Sequence, residues 1–83
     1  MRVTIRYFAS VREAIGLGSE VRDTSATTLA ALRDELLASG PAHAQALARG
    51  KSVRMALDQV MSDEAARLSE GCEVAFFPPV TGG

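Results

Sequence analysis

The chain opens on an alternation. In "RVTIRYFA", Val3, Ile5 and Tyr7 fall on one side and Thr4, Arg6 and Phe8 on the other, the period of two expected of a strand with one buried face. "SVREAIGLG" reads as a short turn or helical loop closed by Gly16 and Gly18, and "SEVRDT" as a second strand that forms a hairpin with the first. The period then lengthens. In "TTLAALRDELLASGP", Leu29, Leu32, Leu36 and Leu37 recur on one helical face. The hydroxyl of Thr27 or Thr28 is placed to accept from a free amide of the first turn. Gly40 supplies a left-handed residue past the last turn, and Pro41 prevents continuation. "AHAQALARG" predicts a second, short helix ending at Gly50. Three strand segments complete the chain: "VRMAL", a brief return "VM" across a turn at Asp58-Gln59, and "CEVAFF" after the connector "SDEAARL" and a turn at Glu70-Gly71. Pro78 and Pro79 end the last strand, because neither can donate to a sheet ladder.

A helix with a single leucine stripe must lay that stripe on one face of a sheet, and the right-handed crossover rule places the final strand parallel beside the first. The order of elements therefore predicts an α+β fold of β-grasp type. Its mixed sheet packs against one main helix, with a short second helix. Residues 1–79 form the domain and residues 80–83 a flexible C-terminal tail. Strand parity puts Val74 and Phe76 on the helix side with Val3, Ile5 and Tyr7. Phe77 and Phe8 then share the uncovered side, bordered by Met61, with Arg12 at the rim. An aromatic pair on a bare sheet face suits docking to another protein.

Composition narrows the function by exclusion. The 83 residues suffice for one core. A formal net charge of −1, with nine basic residues and no run among them, gives no electrostatic case for nucleic acid or an anionic membrane. One cysteine, Cys72, rules out an internal disulfide framework and fits a reducing compartment. With no signal peptide and no window long enough to span a bilayer, the expected location is the cytoplasm. His43, the only histidine, reads as a solvated surface residue, since no cysteine or acidic cluster surrounds it at metal-ligand spacing. Cys72 has no base near it in sequence to activate it as a nucleophile. Asp34, Glu35, Asp63, Glu64, Glu70 and Glu73 read as solvated faces and turns. No metal site and no glycine-rich phosphate loop is expected.

What remains is the stretch "FFPPVTGG". A terminal carboxylate, with a reference pKa near 3.5, is ionised and weakly nucleophilic at neutral pH, so it reacts only where a partner enzyme activates it. Residues 80–83 reach roughly 13–14 Å when extended. Gly82 and Gly83 pass where a side chain would not, and Pro78 and Pro79 stiffen the base of the tail.

"VTIRYFASVREAIG" and "LSEGCEVAFFPPVTGG" together closely resemble the small, sulfur-carrier subunits of molybdopterin synthase, the MoaD family, whose fold is ubiquitin-like. The resemblance covers nearly the whole chain and is weakest between about residues 38 and 52. It implies that an E1-like adenylyltransferase of MoeB type adenylates Gly83 and that a sulfurtransferase then supplies the sulfur of a thiocarboxylate. No permanently bound cofactor is implied. A large subunit of MoaE type, in a heterotetramer, would take the tail (Thr81, Gly82 and Gly83) and transfer sulfur to cyclic pyranopterin monophosphate. The small subunit is then a sulfur donor, not itself an enzyme. Phe8, Met61 and Phe77 match the family's hydrophobic interface, with Arg12 beside it. Three positions depart from the family: Cys72 where aspartate is usual, Asp58 where asparagine is usual, and Ala65 where proline is frequent. All three sit in or beside turns. Within the same fold, the alternatives are a carrier for thiamin or cysteine biosynthesis and a ubiquitin-like protein modifier.

Overall fold

A computed structural model describes residues 1–79; Thr81, Gly82 and Gly83, and with them the reading of 80–83 as a tail, lie outside the described residues. The chain runs β1 (Arg2–Tyr7), α1 (Ala9–Ile15), β2 (Ser19–Asp23), α2 (Leu29–Leu37), α3 (Pro41–Leu47), β3 (Arg54–Leu57), β4 (Val60–Ser62) and β5 (Glu73–Phe77). The strands form one sheet in the order β2-β1-β5-β3-β4. β1 and β5 are parallel, with Ile5 opposite Val74 and Tyr7 opposite Phe76. The other pairings are antiparallel. This is the β-grasp architecture expected from the periodicity, and β5 occupies the middle of the sheet.

The alternation in β1 holds: Val3, Ile5 and Tyr7 are buried, together with Val74 and Phe76 of β5. Against them pack Leu29, Leu32 and Leu36 of α2, Leu47 of α3 and Val11 of α1. Leu37 lies at the edge of the core, partly buried. Cys72 is buried within the same core.

Two local expectations are corrected. The segment after β1, read as a short turn or helical loop, is a regular helix, closed by Gly16 and not by Gly18. Phe8 is its N-cap, and Gly16 ends it in the left-handed conformation (φ 87°), its N–H donating to Arg12 O at 2.8 Å. The fold therefore has three helices. Second, α2 ends on the right-handed Ala38, and Gly40 belongs to the next element as the N-cap of α3. Pro41 both stops α2 and opens α3, where its missing N–H costs nothing. Of the two candidate caps, Thr28 is the one used: its Oγ1 accepts from Ala31 N at 3.2 Å.

The turn at Asp58-Gln59 has positive φ at both residues, 49° and 69°, as a two-residue hairpin of right-handed twist demands. Asp58 meets that demand and adds a tie. Its Oδ1 accepts from Glu73 N at 2.9 Å, and its own N–H donates to Glu73 O at 2.8 Å. The β3–β4 hairpin is thereby fastened to the first residue of β5.

Candidate functional site

Because residues directly opposite in a ladder point to the same face, the pairings define what the helices leave uncovered. Nearest the end of β5, Arg54 of β3 stands opposite Phe77. Phe8 follows the last β1–β5 pair, its N–H donating to Phe76 O at 3.1 Å. It therefore lies at the level of Phe77 and on the same side. One step down come Arg6, Ala75, Ala56 and Met61, each opposite the next. Below these lie Val21, Thr4 and Glu73.

The result is a shallow apolar trough. Ala75 and Ala56, both buried, form its floor between longer neighbours. Phe8 is 40% exposed and Met61 57%, large fractions for side chains of that size. Phe77 is half-buried. The Arg6 guanidinium carbon lies 5.4 Å from the centroid of the Phe8 ring, within cation–π range. Arg12 projects from α1 toward Gly18 and, with Phe8, Arg6 and Glu73, lines a recess of about 450 Å³. Phe8, Phe77, Met61 and Arg12 are thus brought to one side of the molecule, around the place where residue 79 leads out of the central strand. Gly83, Gly82 and Thr81 lie outside the described residues.

Three features of the site and its support have no role in the expectations drawn from the sequence. Arg6 and Arg54 are the first. Parity alone places Arg6 on the open side with Phe8, and Arg54 follows once β3 is paired with β5. The second is Ala9, which turns the chain from β1 into α1 with φ 50°, a left-handed conformation costing a non-glycine residue about 1–2 kcal/mol. Nothing in its residue type signals it.

The third is a partly buried polar network, and it corrects the reading of His43. The side chain of His43 is only 17% exposed, with Nε2 2.9 Å from Glu20 Oε2. Its ring meets Tyr7 edge-on at 6.0 Å. The Tyr7 hydroxyl donates to the same Glu20 oxygen at 2.8 Å. Burial pushes the Tyr7 phenol well above its ordinary value, reinforced by its bond to Glu20. Burial alone would raise Glu20, but the hydrogen bonds from His43 and Tyr7, aided by nearby Arg22, hold it below the ordinary carboxylate range. His43 thus ties α3 to β1 and β2. The carboxylates read as solvated are partly engaged as well. Arg49 bonds Asp34 at 2.6 Å and Glu64 at 2.8 Å, and Thr24 donates to Glu35 at 2.5 Å.

Cys72 is walled in by the core. Among the described residues no three of His, Cys, Asp and Glu gather closely enough to hold a metal ion, and no helix is long and apolar enough to cross a membrane.

Comparison with known proteins gives this face a context. Residues 5–83 match the ThiS family. The chain is 36% identical over 81 residues to the molybdopterin synthase sulfur carrier subunit of Haemophilus influenzae, covering 98% of this chain and 99% of the relative. It is 38% identical over 81 residues to the Escherichia coli protein of the same name, with the same coverage. Among solved structures, the complex of subunits 1 and 2 of the molybdopterin-converting factor from Helicobacter pylori contains a chain that superposes with a TM-score of 0.71 at 25% identity, covering both chains completely. The chain belongs to the ThiS family, and its similarity along nearly its full length is to molybdopterin synthase sulfur carrier subunits.

Proposed function

We propose that this protein is the sulfur-carrying small subunit of a molybdopterin synthase, with the carboxylate of Gly83 as its reacting group. The observation that carries the reading is the 36–38% identity to two sulfur carrier subunits over 98% of the chain. The open face supports it. Phe8, Phe77 and Met61 present apolar area beside the outlet of β5, where a partner receiving residues 80–83 has to sit.

In this reading an E1-like adenylyltransferase joins the Gly83 carboxylate to the α-phosphorus of ATP, and pyrophosphate leaves. A sulfurtransferase then provides sulfur at the oxidation level of sulfide, AMP departs, and Gly83 carries a thiocarboxylate. Docking on the trough next places the tail in the large subunit's active site. There the sulfur passes to cyclic pyranopterin monophosphate, two such transfers making the dithiolene, and the large subunit supplies the catalytic side chains. The β-grasp domain contributes address and reach, the tail contributes the atom.

The test is intact-mass analysis after incubation with ATP, the adenylyltransferase and a sulfur donor. The expected product differs from the starting protein by the exchange of one oxygen for sulfur, and it forms molybdopterin when the large subunit and precursor are added. Removal of Gly82 and Gly83 should abolish both results and leave the melting temperature nearly unchanged. A truncated protein that still supports molybdopterin formation would refute the carrier reading. Higher-mass conjugates in place of the thiocarboxylate would instead indicate a protein modifier.

A further inference from the structure

We propose that the open face selects its partner by charge as well as by apolar contact: the protein that receives the tail presents carboxylates opposite Arg6, Arg12 and Arg54. The proposal rests on the docking reading above and adds the chemistry of the surface on the other side.

The distribution of the arginines carries it. On the rest of the molecule Arg2 pairs with Asp23, Arg22 with Glu35, and Arg49 with Asp34 and Glu64, and among the described residues Arg67 is the one arginine there whose side chain has no partner. Arg33 donates to the carbonyls of Leu47 and Ala48. Around the trough the pattern reverses. Among the described residues, the side chains of Arg6, Arg12 and Arg54 make no hydrogen bond and no ion pair, although Glu73 shares the face of Arg6 and Arg54 and Glu13 follows Arg12 on α1. A protein of net charge −1 therefore carries three unneutralised guanidinium groups around one apolar trough.

Their placement is specific. Arg6 lies over the Phe8 ring, Arg54 stands across from Phe77, and Arg12 lines the recess that Phe8 borders. The cation–π contact with Phe8 engages the guanidinium through the ring face and leaves its N–H groups available to a carboxylate. Arginines at the edge of an apolar contact set the rate of encounter and reject partners of like charge, while the apolar centre sets residence time. A flat trough with a floor of alanines, fringed by a few cations, fits a folded acidic protein surface. A nucleic-acid backbone would call for a longer positive track.

The experiment measures association and dissociation rates with the cognate large synthase subunit between about 0.01 and 1 M salt, over which the screening length falls from roughly 30 to 3 Å. The wild-type association rate should fall at least about tenfold across that range. The pair Arg6→Glu and Arg54→Glu should associate at least about tenfold more slowly at low salt and lose the salt dependence, with dissociation changed less. The neutral pair Arg6→Gln and Arg54→Gln should show an intermediate loss, and unaltered melting temperatures would confirm that both fold. Arg67→Glu, in the connector and also without an ion pair among the described residues, changes net charge away from the face and should slow association far less. Phe77→Ala should show the converse split, with faster dissociation and little change in association. Salt-independent association of the wild type, or charge-reversed variants that associate as fast as it does, would overturn the proposal and leave docking intact if Phe77→Ala still shortens residence. Absence of binding by the wild type would overturn both.

Discussion

Phe76 and Phe77 are neighbours in sequence and belong to different parts of the protein. Phe76 is fully buried on the covered side of the sheet, its ring stacked against Tyr7 with centroids 6.1 Å apart. Phe77 is half-buried on the open side, across from Arg54. The contrast extends to the two faces as wholes. Under the helices the polar groups are answered within the chain: Tyr7 and His43 by Glu20, Arg33 by two carbonyls, Thr24 by Glu35. On the open side, among the described residues, the guanidinium groups of Arg6, Arg12 and Arg54 have no hydrogen bond or ion pair, and Phe8 and Met61 are exposed. The covered face carries most of the buried apolar core, and on the proposed reading the open face is the one that meets another molecule.

The comparison makes its largest claim at those two phenylalanines. Phe76→Ala should leave a cavity in the core and cost about 3–5 kcal/mol, which denaturant unfolding will detect as a lower midpoint. Phe77→Ala should cost far less in stability yet weaken binding to the large subunit by roughly 1–3 kcal/mol, as an anchor residue does. If the two variants exchange phenotypes, the side-chain register of β5 is wrong by one residue, and the division between the faces falls with it.

Much of this division was legible in the sequence, and the reasons are local. A strand with one buried face must alternate, so β1 declared its sides through Val3, Ile5 and Tyr7. The leucine stripe fixed which side the helix covers, and the crossover rule placed β5 beside β1. From these alone Phe8 and Phe77 could be set on the open face. What escaped depends on distant pairs. Glu20 and His43 lie 23 positions apart, and only the packing of α3 over the β1–β2 hairpin makes the histidine a partly buried partner. Arg33 sits in the leucine helix at a position a solvated charge would suit equally well, until α3 brings its last carbonyls there. α1 is a single short helix whose sequence is as compatible with a loop, and contacts with α3 and β5 decide for the helix.

A middle-sized effect separates the two kinds of arginine. Arg33 is buried, with Nε 2.8 Å from Leu47 O and Nη2 3.2 Å from Ala48 O, so it caps the C-terminal end of α3 with a cation, where the helix dipole favours one. Arg33→Met keeps most of the stem but strands those carbonyls, and should cost about 1–3 kcal/mol. Arg54→Met, on the open face, should change stability by no more than about 0.5 kcal/mol. Chemical denaturation of the two variants side by side sharpens the comparison. Equal losses would mean that Arg54 has a structural partner and is not held in reserve.

The smallest effect tests whether the polar network of the covered side contributes to folding at all. Glu20 titrates below its ordinary value of 4.5 in the folded protein, because the hydrogen bonds from His43 and Tyr7 outweigh the burial that would raise it. A group with a depressed folded pKa binds more protons in the unfolded chain over the interval between the two values, so its contribution is lost on acidification. The contribution is complete above about pH 4.5 and declines as the pH drops through the lower folded value. Glu20→Gln removes this titration. The stability difference between wild type and Glu20→Gln, about 0.5–1.5 kcal/mol near neutrality if it resembles an ordinary hydrogen bond, should be flat from pH 7 to about 5 and shrink below about 4.5. Tyr7 gives the mirror image in alkali. Its folded pKa is raised by burial and by Glu20, so its contribution is complete below the ordinary value of 10 and is lost above it, as the unfolded chain ionises first. Urea unfolding at a series of pH values checks both limbs. A wild-type and Glu20→Gln difference that stays constant down to pH 3 would show that Glu20 is as free to titrate in the folded state as in the unfolded one, and that the covered face is held by its apolar contacts alone.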